Sequence, residues 1–246
     1  MTPTPRTAVV TGASSGIGRA TALSLAATGY HVIAGARRLP LLEDLARTPG
    51  IHCAQLDVTD QDSVDRFVAE IDRCDVLVNN AGGAIGADSI AEANLADWQA
   101  MYDVNVLGTL RLTKALLPLL IESGDGQVVT IGSIAARESY RGGGGYNVAK
   151  HGVAALTRVL RIEMLGLPVR VSEIDPGLVE TEFSINRFGG DAEAAARVYA
   201  GLTPLSAADI ADAVTWVVQR PPHVNIDSML ILARDQVSAQ VVHRRA

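Results

Sequence analysis

Short β-branched runs alternate along the chain with longer stretches whose apolar residues recur every three or four positions. Residues 8–11, 31–36, 53–56, 75–78, 127–131 and 169–174 read as strands, and 229–232 as a seventh. Helices are predicted at 17–27, stopped by Gly29, and at 39–47, 60–71, 191–200 and 207–219. The helix at 60–71 carries acids in its first turn, where the helix dipole favours them. Two longer helices are expected at 95–117, bending or ending at Pro118, and at 146–165, ended near Gly166 and Pro168. Strand followed by helix throughout signals an α/β fold, a doubly wound parallel sheet whose right-handed crossovers put helices on both faces. No internal repeat and no Ser/Gly-rich linker interrupts the pattern, so residues 1–246 are expected to form one domain. The least regular stretch, 183–205, contains Gly189, Gly190 and Gly201 and follows a strand, which makes it a candidate lid.

Composition narrows the class. Hydrophobic residues make up 48% of the chain but aromatics only 4%, so the core must be mostly Ala, Val, Leu and Ile. Such residues suit helices packed on a buried parallel sheet. A formal net charge of −6 argues against a general nucleic-acid binder, which needs a basic surface. Cys53 and Cys74 do not make a disulfide framework and read as small buried residues in a reducing cytoplasm. Residues 1–6 are polar with two prolines and have no apolar signal core. No apolar run reaches the roughly 18 residues needed to span a bilayer. A soluble, cytoplasmic protein without a membrane partner is expected. His31, His52, His151 and His223 lack metal-ligand spacing, and no metal is expected.

Two constellations carry chemistry. Thr11-Gly12-Ala13-Ser14-Ser15-Gly16-Ile17-Gly18 follows a predicted strand and opens a predicted helix, the context of a dinucleotide-binding turn. Gly12 would permit the tight turn, Gly16 the approach of backbone amides to a pyrophosphate, and Gly18 close helix–strand packing. Ser14, Ser15 and the helix start at Ile17 add donors facing negative charge. The second strand ends in Gly35-Ala36-Arg37-Arg38, with no acid to hold a ribose 2′-hydroxyl. An arginine fork suits a 2′-phosphate, so NADP is expected over NAD, with a solvated basic loop as the plainer reading. Asp57, before Val58, is placed equally well to accept from an adenine amino group or to cap the helix that follows.

Tyr146 and Lys150 stand four apart on one helix face, and Ser133 precedes the tyrosine by thirteen residues at the end of a strand. A phenol, an ammonium and a hydroxyl at one point can move a proton on or off a carbonyl oxygen. A free tyrosine titrates near 10, and Lys150 is expected to lower that value by favouring the phenolate.

Taken in order, the glycine turn, Asn79-Asn80-Ala81-Gly82, Asn105, Ser133, Tyr146-x-x-x-Lys150 and Asp175-Pro176-Gly177 resemble the single-domain short-chain dehydrogenases/reductases over nearly the whole chain. The resemblance implies a Rossmann-type sheet of seven parallel strands. It implies NADP(H)-dependent hydride transfer between a carbonyl and an alcohol, with Tyr146 as acid/base and Ser133 fixing the substrate oxygen. Lys150 would also bind the nicotinamide ribose, and Asn105 would kink the long helix and hold a proton-relay water. Asn79, Ala81 and Gly82 would lie beside the adenosine. Pro176 and Gly177 would pack on the nicotinamide, with Val179 and Thr181 reaching its carboxamide end.

The segment Pro221-Pro222-His223-Val224-Asn225-Ile226 and the tail His243-Arg244-Arg245 resemble an NADP-dependent branch acting on 3-hydroxy acids such as serine. That branch implies a homodimer or homotetramer, with the helices at 95–117 and 146–165 pairing and the tails between subunits; the tail is equally consistent with disorder. Gly142-Gly143-Gly144-Gly145 either leaves room near the reacting carbon or makes a mobile loop. Arg187 either meets a substrate carboxylate or is solvated. Two other functions are weighed against the oxidoreductase. A cofactor-sensing regulator without turnover is disfavoured by the intact Asn-Ser-Tyr-Lys set. A nucleotide-sugar epimerase of the extended relatives is disfavoured because no added C-terminal substrate domain follows.

Overall fold

A computed structural model describes residues 5–245; Met1 to Thr4, part of the polar opening, and Ala246 lie outside the described residues. In chain order the elements are β1 (Thr7–Thr11), α1 (Gly16–Ala27), β2 (His31–Ala36), α2 (Glu43–Ala46), β3 (Ile51–Gln55), α3 (Gln61–Val68), β4 (Val76–Asn79), α4 (Leu95–Tyr102), α5 (Gly108–Glu122), β5 (Gly126–Ile131), α6 (Gly144–Glu163), β6 (Val169–Pro176), α7 (Glu182–Arg187), α8 (Ala192–Tyr199), α9 (Ala207–Val218) and β7 (Ser228–Ile231). All seven strands pair in parallel, in the order β3-β2-β1-β4-β5-β6-β7. The fold is the doubly wound Rossmann-type α/β sheet that the strand–helix alternation predicts.

Two apolar layers sandwich the sheet, and the two-residue period of the strands sorts side chains between them. In β1, Ala8 and Val10 face the layer with Leu25 of α1 and Val214 of α9, while Val9 faces the layer with Phe67 of α3 and Leu112 of α5. The order reverses at β1, where the next strand outward is β2 on one side and β4 on the other. In such sheets the crevice beyond the strand ends at this point is where ligands bind.

Several predicted elements differ in detail. Residues 39–42 form a tight 3₁₀ turn with Pro40 at its start, so only 43–46 are α-helical where one helix over 39–47 is predicted. The third strand begins two residues earlier than the pattern suggests.

Pro118 does not end its helix, because α5 runs through it to Glu122. Pro118 and Lys114, whose carbonyl loses its i+4 donor, are both exposed, so the freed carbonyl is on the water side of the helix. Leu112, Leu116 and Leu120 are fully buried on the opposite side. Each contributes about 1.5–3 kcal/mol on burial, which together outweighs the ~3 kcal/mol proline penalty.

Helical turns continue from 95 to 122, 28 residues that include an 18-residue stretch of mean hydropathy 1.4, long and apolar enough by those measures to cross a membrane. The burial of its leucine side against β4 and β5 accounts for that composition as a core helix.

Candidate active site

Thr11 and Asn80 build the floor of the crevice. The Thr11 hydroxyl accepts from the backbone N–H of Asn80 at 2.9 Å and of Ala81 at 2.8 Å. Asn80 Nδ2 donates to Thr11 O at 2.8 Å and Gly12 O at 3.3 Å. The ends of β1 and β4 are thereby fixed together. Gly12 and Gly16 sit at φ +64° and +52°, angles that glycine adopts without strain. A Cβ on Gly18 would overlap both Gly12 O and Asn80 Nδ2, so the third glycine serves close packing as predicted.

A cavity of about 500 Å³ opens at these strand ends. Gly12, Ser15, Gly16, Ile17, Ala81 and Gly82 line its glycine-turn side. Ser133, Tyr146, Lys150, Pro176, Gly177, Val179 and Thr181 line the rest. The sequence-predicted phenol, ammonium and hydroxyl therefore share one cavity.

Ser133 caps a short 3₁₀ turn after β5, its Oγ accepting from Ala135 N at 3.1 Å. Tyr146 and Lys150 rise from the first turns of α6, and both are buried. Lys150 Nζ donates to Ile131 O at 2.9 Å and lies 5.8 Å from the Tyr146 ring centre. Asn147, between them, ties the helix start to the preceding loop by donating to Ala135 O and Glu138 O.

The electrostatics correct one expectation. Burial pushes the Tyr146 phenol above its ordinary range, and the Ser133 hydroxyl opposes this only in part. Lys150 is itself lowered to about 8 by burial, against the pull of Asp175 and Glu173. Desolvation thus exceeds the Ser133 and Arg187 contributions that favour the phenolate, and the protein by itself holds a neutral phenol.

Asn105 stands in a widened π-type turn, Asp103–Leu107, between α4 and α5. Its Nδ2 donates to Met101 O at 2.7 Å and Gly83 O at 2.9 Å, and its Oδ1 accepts from Gly83 N at 3.3 Å. The predicted break in the long helix falls here, and the asparagine satisfies the backbone groups that the break frees. A Cβ on Gly82 would overlap Asn105 Oδ1, so Asn105 abuts the cavity wall without lining it.

The remaining predicted residues lie off the cavity wall. Asn79 is buried and donates to Thr113 Oγ1 at 2.8 Å. Val58 packs against Gly108, and its carbonyl accepts from Arg111. Asp57 folds back on Thr59, accepting from its N–H and hydroxyl, while Asp60 takes the N-cap of α3. The capping alternative for Asp57 therefore belongs to the neighbouring acid.

Arg38 Nη2 reaches Ser14 Oγ at 3.3 Å, Ser15 Oγ at 3.5 Å and Glu182 Oε2 at 3.4 Å. Arg37 is exposed, and its charge acts on Asp57.

The covering segment is more ordered than its glycines suggest, because 183–205 holds most of α7 and all of α8. Phe183 stacks at a tilt on Tyr146 with ring centres 5.4 Å apart. Arg187 is neither free nor solvated: it donates to Gly86 O, Tyr140 Oη and Gly142 O at 2.9–3.1 Å and still lines the cavity. The glycine run is packed rather than loose. Cβ atoms on Gly143 and Gly144 would collide with Tyr140 and Trp98.

The tail packs on its own chain. Arg244 donates to Ala200 O and Val198 O, and Arg245 to Thr203 Oγ1 at 2.6 Å, closing the rim beside α8. Tyr140, Phe183, Tyr199 and Gln236 also line the cavity. No spacing marks them in the sequence, since Tyr140 and Gln236 reach the site from a loop and the tail, and Phe183 and Tyr199 from the short helices α7 and α8.

An uncharacterized oxidoreductase of Mycobacterium tuberculosis (strain ATCC 25618 / H37Rv) is 57% identical over 234 residues, 95% of this chain and 93% of that protein. The NADP-dependent 3-hydroxy acid dehydrogenase of Schizosaccharomyces pombe (strain 972 / ATCC 24843) is 38% identical over 251 residues, 98% of this chain and 97% of that protein. Among solved structures, the closed form of serine dehydrogenase complexed with NADP+ matches with a TM-score of 0.92 and 36% identity, covering 97% of this chain and all of that one. A family model described as short chain dehydrogenase matches residues 6–191. With three quarters of its length matched by that model and the glycine turn, Ser133, Tyr146 and Lys150 meeting in one cavity, the chain belongs to the short-chain dehydrogenase family.

Proposed function

We propose that this oxidoreductase interconverts a small carbonyl compound and its alcohol with NADP(H), with Tyr146 as acid and base and a 3-hydroxy acid as the alcohol. The single observation that carries the reading is the convergence of Ser133, Tyr146 and Lys150 on one cavity whose other end is the glycine turn.

The residues present fit a phosphorylated dinucleotide. Gly12 and Gly16 leave the turn's backbone bare at the start of α1, a cradle for a pyrophosphate. No carboxylate ends β2, where Arg38 instead stands over Ser14 and Ser15, a donor set for a 2′-phosphate. The S. pombe and serine dehydrogenase relatives carry NADP in their names. Thr181, at the N-cap of α7, lies within 3.3 Å of a Cβ built on Gly16, so the cover and the turn meet at the cofactor's path.

When bound, the coenzyme supplies or accepts the hydride. Ser133 donates to the substrate oxygen and fixes it beside the Tyr146 hydroxyl. In reduction the neutral phenol, which burial favours, gives its proton to that oxygen; in oxidation the phenolate takes it back. Lys150 would stabilise the charge left on the phenolate and would hydrogen-bond the coenzyme's ribose. Asn105 holds the wall behind Lys150 through Gly83. Residues 183–205 act as the cover, with Phe183 packed against Tyr146 to exclude water.

A cation in the wall, Arg187, suits an anionic substrate, and its three internal bonds leave guanidinium N–H groups for a carboxylate. The test is a panel of neutral ketones, 3-oxo acids, alcohols and 3-hydroxy acids assayed with all four nicotinamide forms. The expected result is turnover with NADP(H), with acids preferred over neutral substrates of equal size by about tenfold or more in kcat/KM. Equal rates for acids and neutral analogues would remove the acid assignment.

We also infer a homodimer or homotetramer in the cytoplasm. α4 to α6 leave Leu95, Tyr102, Leu110, Val148, Val159 and Ile162 exposed, an apolar face that a second copy would cover. Both cysteines are free, in keeping with a reducing compartment. Light scattering is expected to give at least twice the 25.8 kDa chain mass, and a monomer would contradict the inference.

A further inference from the structure

Behind the Ser133–Tyr146–Lys150 cluster lies a second set of ionisable groups that the chemistry above does not use. Glu173 and Asp175 are two apart on β6 and so face the same side of the sheet. Both are buried, with exposures of 3% and 1%. Asp175 Oδ1 accepts from the backbone N–H of Ser133 at 3.1 Å, and Oδ2 accepts from Arg137 Nε at 2.7 Å. Gly132 separates the two carboxyls from the cluster. A Cβ there would overlap Asp175 Oδ1 and stand 2.7 Å from Glu173 Oε1. Its neighbours are Ile131, whose carbonyl takes the Lys150 bond, and Ser133 itself. The carboxyl pair therefore presses on the strand end that carries both groups.

The two carboxyls are not equivalent. Asp175 has donors on both oxygens. Among the described residues, none offers a donor to the buried Glu173 Oε1. Leaving such an atom ionised and unpaired is costly, whereas a proton on Glu173 can bond to Asp175. Burial first, and the adjacent Asp175 charge second, push Glu173 up to about 7.

The charges facing it are few. Arg158 on α6 and Arg137 after β5 attract, Asp175 repels, and Lys150 stands across Gly132. Its strand neighbours, Thr130 on β5 and Ser228 on β7, are uncharged, and the Asp227 carboxylate is paired with Arg161.

We propose that Glu173 and Asp175 share one proton, and that this pair positions Ser133 and sets the charge opposing Lys150. With the proton in place, Asp175 is balanced by Arg137. When Glu173 gives it up, a second negative charge appears behind Gly132 and holds the Lys150 ammonium to higher pH. Glu173 and Asp175 are positioning residues, acting through Ser133 and Lys150. The inference deepens the proposed function and rests on its assignment of Lys150 and Ser133.

Glu173→Gln tests it, since the amide keeps the size and can donate to Asp175 but cannot ionise. The alkaline limb of kcat/KM, set by Lys150, is expected to move to lower pH by about half a unit or more, with the NADPH dissociation constant unchanged. A second readout needs no turnover. The folded chain keeps the Glu173 proton up to about 7, whereas the unfolded chain loses it near 4.5, so the parent loses stability as pH rises through that window. Glu173→Gln lacks this slope, and its melting temperature should gain on the parent's by about 2 °C or more across the window.

Asp175→Asn is expected to lower kcat about tenfold without moving coenzyme affinity, through a loosened Ser133. If it does not fold, Glu173→Gln still decides. Superimposable pH–rate limbs and pH–stability slopes in Glu173→Gln and the parent would overturn the inference. Should Tyr146→Phe retain turnover, the site assignment fails instead, and the stability slope alone reports on the shared proton.

Discussion

Tyr146→Phe is expected to lose about 10²–10⁴ of the turnover, the usual worth of a positioned acid–base group, while binding NADPH as the parent does. The variant deletes one oxygen from a buried ring. The ring's contact with Phe183 at 5.4 Å is kept, and no cavity larger than that atom opens. The Ser133 hydroxyl loses one partner but still accepts from Ala135 N, so no group is stranded without a bond. Lys150 keeps Ile131 O. The loss should therefore appear in kcat and not in coenzyme affinity, read by steady-state kinetics beside a fluorescence titration. Turnover within about threefold of the parent would be too small a change for a lost acid–base group.

The second large effect concerns coenzyme choice. Arg38→Ala is expected to raise the NADPH KM about ten- to a hundredfold, the range for losing a charge-assisted bond to phosphate, and to leave NADH nearly unchanged. The present partners of Arg38 are Ser14, Ser15 and Glu182, at 3.3–3.5 Å and at a half-exposed position. Such contacts are weak, so a phosphate dianion displaces them readily. Arg37→Ala should do less, because Arg37 faces Asp57 rather than the turn. Measuring KM for both coenzymes separates the cases. Equal losses with NADPH and NADH would mean that Arg38 supports the turn generally and reads no phosphate.

The fold was legible because each level agreed with the next. β1 carries an unbroken apolar run, as a strand buried on both faces reads, and its two-residue period sends Val9 to one layer and Ala8 and Val10 to the other. The site's polar core was legible because Tyr146, Lys150 and Ser133 stand on elements the pattern marks clearly, a long helix and a strand end.

What the sequence hid depends on long-range burial. Pro118 reads as a stop, yet three leucines buried on the far side carry the helix through it. The direction of the Tyr146 shift follows from its burial among Met101, Ala135, Tyr140 and Phe183, which a spacing of four residues does not reveal. Arg187 reads as a free cation, but Gly86, Tyr140 and Gly142 reach it from distant loops. The glycine run at 142–145 looks loose until Trp98 and Tyr140 are seen filling the space where its side chains would lie.

If the proposed chemistry holds, hydrogen passes directly between coenzyme and substrate carbon while Tyr146 handles the proton. The most direct measurement uses NADPH carrying deuterium at both C4 positions of the nicotinamide, with the product alcohol analysed by mass spectrometry for both the parent and Tyr146→Phe. One deuterium is expected on the carbinol carbon with the parent, and almost no labelled product with the variant although it binds the coenzyme. Label absent from the parent's product, or incorporated equally by the variant, would contradict that chemistry.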